Sequence, residues 1–236
     1  MSSELLQAVL DRPHDDAPRR AYADALGAHP HAEFIRSQLD NGSGAMPLRE
    51  RELLREHRRT WLGDLAGIVE QASFSRGFVG AVTVDAPRFV KRADTLFAAA
   101  PIVDLVLTNA EGRHDVFRVR HLTRLRSLKL SGGMTDRDAV ELGACAHLTG
   151  LRLLDLRDNR IGRVGLNAIA SSPYLRNLQV LAFAGNLIED PCPVPVGAPP
   201  DERWDTGAVH AALVEKHGPL PWLVRRERGV PSPAAL

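Results

Sequence analysis

The chain has 236 residues, 44% of them hydrophobic, with 30 basic side chains against 29 acidic ones for a formal charge of +1. That is enough apolar material to core one large domain or two small ones. The charge balance excludes a molecule drawn as a whole to nucleic acid or to an anionic membrane, so any electrostatic partner has to meet a local patch. Only Lys91, Lys129 and Lys216 are lysines, and the Arg-, Ala-, Gly- and Pro-rich composition fits a GC-rich bacterial genome.

The opening "MSSELLQAVLDRPHDD" lacks a basic stretch followed by an apolar run, and no segment approaches the roughly 18 to 20 apolar residues that span a bilayer; a cytoplasmic location is the expectation. Cys145 and Cys192 lie far apart, without metal-ligand spacing and without a disulfide framework. Both read as ordinary thiols, and no cofactor is expected.

In chain order, "SELLQAVLDR" reads as a helix with Ser3 as its cap. "DDAPRRAYADALG" reads as a second, capped by Asp16, with Pro18 in the first turn and Gly27 as the stop. "HAEFIRSQLD" gives a third. After the break "NGSGAMP", helical periodicity resumes through "LRERELLREHRRTWLGDLAGIVEQ". The last helix is expected to cover the first repeat strand, Val79 to Val84, through Trp61, Leu62 and Leu65.

From Phe74 onward the period changes. "LRLLDLRDNRIG" (Leu151 to Gly162) and "LQVLAFAGNLIE" (Leu178 to Glu189) share the spacing L-x-x-L-x-L-x-x-N-x-L, 27 residues apart, with Asn159 and Asn186 at the same step. Fainter copies begin at Leu125, Ile102 and Val79, where Gly133 and Ala110 stand at the Asn step of the first two. The offsets of 23, 23, 26 and 27 residues fall in the range of about 20 to 29 typical of leucine-rich repeats. A strand–loop–helix unit cannot bury its apolar face alone, so copies stack, and the Asn amide serves backbone groups that stacking would leave unpaired. The fold class read here is α/β: a short right-handed leucine-rich-repeat solenoid of about five strand–helix units behind an all-helical N-terminal module. Its parts are 1-72 (helical module), 73-190 (repeats) and 191-236 (a Pro-rich segment and C-terminal cap), the cap helix lying in "DTGAVHAALVEKHG" and "PLPWL" closing the end.

The Asp15-Asp16-Ala17-Pro18 turn, Tyr22-Ala23-Asp24, Glu33-Phe34-Ile35-Arg36 and Arg76-Gly77-Phe78 resemble the hallmarks of the bacterial repeat-companion domain, a module that precedes leucine-rich repeats. Ala25 stands where that family usually has Trp. The resemblance covers most of the chain and implies a fold and an interaction role. It implies no reaction.

Candidate chemistry is sparse. Asp15, Asp16, Asp24 and Glu33 could be grouped as a carboxylate cluster, but Asp16 is accounted for as a cap and Glu33 as a first-turn acid facing the helix dipole. His29 and His31 flank Pro30 in what reads as a solvated turn. There is no phosphate loop and no nucleophile elbow, so no enzyme and no metal are expected. The densest basic run, 113-126, carries Arg113, Arg118, Arg120, Arg124 and Arg126 and offers a nucleic-acid-associated regulator as the weaker alternative.

Side chains alternate along a strand, so the residues between the repeat leucines form the opposite, concave face. Leu153, Asp155, Arg157, Val180 and Ala182 are the candidate protein-binding residues, an apolar floor with charged orienting groups. The strip reads either as a partner site or as a surface covered by the Pro-rich segment. The function expected is a protein- or peptide-binding adaptor. The alternative is an accessory component of a biosynthetic or regulatory pathway that binds a peptide substrate.

Overall fold

The computed structural model describes residues 2-42, 44-188, 208-218 and 220-222. It is a mixed α/β structure with a six-stranded sheet whose strands follow chain order, β1 (Gln71–Ser75), β2 (Phe78–Asp85), β3 (Asp104–Thr108), β4 (Ser127–Leu130), β5 (Leu153–Asp155) and β6 (Val180–Ala182). The first pair is antiparallel, and β4, β5 and β6 run parallel to one another. The chain divides into two compact units: one holds the residues up to Val84 together with Arg92–Asp104, the other Asp85–Lys91 and the described residues from Leu105 onward.

In the first unit, α1 (Ser2–Asp11), α2 (Ala17–Leu26), α3 (Pro30–Asn41) and α4 (Leu48–Leu62) precede the hairpin. Val9, Ala23, Ala32, Ile35 and Phe78 form its fully packed centre. Gly27 ends α2 with φ 62, a left-handed value that glycine adopts without strain. The helix cap before α2 is not Asp16: its side chain makes no cap bond, and Asp15 Oδ1 takes the Ala17 N–H at 2.9 Å instead. Asp16 is engaged by Arg76 at 2.8 Å, which leaves the capping to its neighbour. Ser3 lies inside α1 and does not cap it.

The helical reading to residue 71 is also corrected. α4 ends at Leu62, where Gly63 turns with φ 49, and Gln71–Ser75 is a strand. Arg76 (φ 51) and Gly77 (φ 87) make the two-residue turn to β2, both with the positive φ that a tight hairpin of right-twisted strands needs. A side chain on Gly77 would collide with Ile35, so both the turn and the packing under it require glycine. Trp61 stacks on His31 and on Phe34, each at 4.8 Å, and meets Phe74 of β1 edge-on at 6.2 Å.

In the second unit the strands alternate with α6 (Asp136–Gly143) and α7 (Arg163–Ala170), and with one-turn 3-10 helices between β3 and β4. The helix between β2 and β3, α5 (Ala86–Ala99), carries residues of both units. Leu128, Leu154 and Leu181 point inward and are buried, as are Leu125, Leu151 and Leu178 at the strand entries. α6 packs on α7, and α8 (Ala208–His217) packs on α7 in turn, with Lys216 and His217 both reaching Asn167 Oδ1. Trp222 is buried. The Pro-rich stretch from residue 189 to 207 and Cys192 lie outside the described residues.

Candidate protein-binding face

The parallel register lines up Ser127, Leu153 and Val180 across three strands, and Lys129, Asp155 and Ala182 in the next row. The Asn steps hold these strands together from beneath. Asn159 is 4% exposed; its Nδ2 donates to Leu130 O and Leu156 O, both at 2.9 Å, and its Oδ1 accepts from Met134 N at 3.0 Å and Gly133 N at 3.2 Å. Asn186 repeats the pattern one unit on, donating to Leu156 O and Phe183 O and accepting from Ile161 N. Each amide thereby satisfies backbone groups of two successive units. Gly133 and Ala110 bring no side-chain amide to this step; there the link between successive units is backbone only, Ala110 N donating to Ser131 O at 2.9 Å and Ser131 N to Leu107 O at 3.0 Å.

The five candidate residues do not share one environment. Leu153 is only 7% exposed and Asp155 1%, so neither belongs to an exposed strip. Leu153 is flanked by Ser127 and Val180 on adjoining strands, and Asp155 is covered by Arg157. Arg157, Val180 and Ala182 are half-buried and reach solvent. The exposed part of the face is therefore Arg157 with Val180 and Ala182, beside the Lys129 side chain at 42% exposure.

Arg157 grips Asp155 through both carboxylate oxygens, Nε to Oδ1 at 3.0 Å and Nη2 to Oδ2 at 2.7 Å, while its backbone N–H donates to Oδ1 at 3.1 Å. Lys129 Nζ approaches Oδ2 at 3.9 Å. Burial alone would raise the Asp155 pKa, but the Arg157 hydrogen bonds outweigh it and hold the group below the usual carboxylate value. The same bonds hold Arg157 protonated more firmly than usual. Two cations thus stand over one buried carboxylate, leaving a net positive charge next to an apolar row.

The four carboxylates considered as a cluster each have a separate partner: Asp15 has Arg12 at 3.4 Å, Asp16 has Arg76, Asp24 has Arg36 at 3.3 Å, and Glu33 has Arg49 at 2.7 and 2.9 Å. No group of three His, Cys, Asp or Glu side chains fit to hold a metal occurs among the described residues. The solvated-turn reading holds for His29, which is exposed in the turn, and gives way at His31, which is packed among aromatic rings. His29 Nδ1 caps α3 by accepting the His31 N–H at 3.1 Å. The His31 ring lies among Tyr22, Trp61 and Phe78, with Nε2 bonded to Gly77 O at 2.8 Å. Cys145 is buried and donates to Phe117 O at 3.2 Å.

Sequence reasoning missed two polar residues. Asp138, 3% exposed, accepts from Gly112 N, His114 Nε2, Thr135 N and Thr135 Oγ1, and so ties the loop after β3 to the start of α6. The signal was there in Thr135-x-x-Asp138, a capping-box spacing. The Asp104 side chain on β3 has no hydrogen-bond or ion-pair partner among the described residues, and burial pushes its pKa up to about 6. Nothing in its local sequence marks it.

Compared with protein-family models, curated proteins and solved structures, the chain has no significant match.

Proposed function

We propose that the chain is a non-enzymatic adaptor that binds a protein or an extended peptide on the strand face of a leucine-rich-repeat solenoid, residues 73-190, with residues 1-72 as a repeat-companion module. The observation that carries the reading is the side-by-side placement of Arg157 and Lys129, poised over buried Asp155, with half-exposed Val180 and Ala182 one strand away. A fixed guanidinium orients a peptide carbonyl or carboxylate, and the apolar row receives an adjacent side chain. The Asn159 and Asn186 ladders support the solenoid reading, because each serves the backbone of two units at once.

Affinity capture from the native host tests this. Wild-type protein and the pair Val180→Glu with Ala182→Glu are compared at equal loading, with thermal unfolding measured alongside. The reading expects a partner retained by the wild type and lost from a variant that still melts like it. A folded variant that captures the same chains removes this face as the site.

A further inference from the structure

The segments that lead into β4, β5 and β6 repeat a short pattern, "HLTRLR" at 121-126, "HLTGLR" at 147-152 and "YLRNLQ" at 174-179. Their leucines are buried, so the intervening residues face outward along one edge of the second unit. Backbone bonds set the three segments side by side: Arg152 N donates to Arg126 O at 2.8 Å, and Gln179 N donates to Arg152 O at 2.7 Å. Arg126 Nη1 donates to the Gly150 carbonyl at 2.8 Å, and no acid pairs with its charge among the described residues. The guanidiniums of Arg152 and Arg176 are exposed and have no hydrogen-bond or ion-pair partner among the described residues.

The three segments themselves are also devoid of acids. No Asp or Glu occurs in 116-135, 142-154 or 159-188. Of the acids that flank these segments, Asp115 pairs with Arg113, Asp136 accepts from Gly162 N and Gly165 N, Asp138 from Gly112 N and Thr135 N, and Asp155 from Arg157, while Glu141 lies on α6 and Asp158 in the turn after β5, outside the three segments. Charge is therefore segregated within a chain that is close to neutral overall.

We propose that this strand-entry edge binds the phosphate backbone of single-stranded nucleic acid, as a surface separate from the strand face. Arginine forks match phosphate oxygens in pairs. At the first step of the repeated pattern stand His121, His147 and Tyr174, all half-exposed planar rings of the kind on which unpaired bases stack. An acidic peptide would use the cations and leave the rings without a role, which favours the nucleic acid. Recognition is of backbone and base faces, so it is independent of sequence.

The test is fluorescence anisotropy of the full chain with a labelled oligothymidylate of about 16 nucleotides. Raising salt from about 50 to about 200 mM weakens binding about 50-fold if four phosphates are neutralised, at a slope of about −0.7 per phosphate. Arg152→Glu with Arg176→Glu weakens binding at least about tenfold at the lower salt. The control pair Arg51→Glu with Arg55→Glu, exposed arginines on α4, changes net charge equally and shifts binding less than about twofold. The neutral pair Arg152→Gln with Arg176→Gln keeps the fold if the acidic pair does not, and gives an intermediate loss. Three results would overturn the proposal: no binding at the lower salt, equal losses from the edge and control pairs, or displacement of the oligonucleotide by polyglutamate as readily as by unlabelled oligothymidylate.

Discussion

The side-chain amide of Asn159 donates to the Leu130 carbonyl at 2.9 Å, joining two strand–helix units through a group buried to 4% exposure. Truncation leaves Leu130 O, Leu156 O and Met134 N without that partner in a site from which water is excluded. Asn159→Ala is expected to lower stability by about 1 to 3 kcal/mol. Asn186→Ala is expected to cost less, because Asn186 is only half-buried and water can replace part of its bonding. Chemical denaturation of both variants checks the order, and equal, negligible losses would contradict the ladder.

Gly77→Ala should be among the most damaging single-methyl additions. It imposes a side chain on a residue with φ 87 and drives that carbon into Ile35, which is fully buried. A loss of about 2 to 4 kcal/mol is expected from strain and overpacking together. A melting temperature unchanged from wild type would show that the hairpin tip does not sit on α3 as described.

Asp104 sets the first of two pH effects. Its folded pKa, about 6, lies above the unfolded value, so the folded state holds the proton more tightly. Its favourable contribution is present below about pH 4 and is lost as pH rises through about 6. Asp104→Asn is thus expected to stabilise the protein by about 1 to 2 kcal/mol at pH 7 and to be neutral below pH 4. Unfolding curves at the two pH values check the sign.

His31 works in the other direction. Burial lowers its pKa, partly offset by the bond to Gly77 O, so the folded state prefers the neutral ring. Stability is complete above the unfolded value of about 6.5 and falls as pH drops through the folded one. His31→Phe keeps the ring stack with Trp61 and should flatten the stability profile on the acid side below about pH 6.5. A profile with the same slope in wild type and variant would assign that dependence to another group.

Much of this architecture was legible because periodicity reports burial. The segments beginning at Val79, Ile102, Leu125, Leu151 and Leu178 each lead into or lie within one of β2 to β6, and the Asn steps bond as the spacing requires. The strand β1 was not legible: "QASFS" follows a long helical run and has no alternation of its own that outweighs it, and it is fixed by pairing with β2. Asp16 and His31 were misread for a related reason. Their partners, Arg76 and Gly77, lie in the hairpin turn, some 60 and 46 residues away, and local capping or turn rules do not see them. At the candidate face, alternation put five side chains on one exposed strip, and the structure leaves Arg157, Val180 and Ala182 half-buried but Leu153 and Asp155 buried. It did not foresee that Arg157 would fold over Asp155 or that neighbouring strands would enclose Leu153.

The most direct measurement of the central claim is photo-crosslinking in the native host, with a benzophenone amino acid placed at position 180 on the strand face or at position 140 on α6. Val140 is 43% exposed on a helix, more accessible than half-buried Val180, so it controls for non-specific labelling of an open position. The account predicts a discrete protein adduct from position 180, abolished by Arg157→Glu and absent from position 140. Adducts from position 140 alone, or none from position 180 in a folded, equally abundant protein, would contradict binding on the strand face.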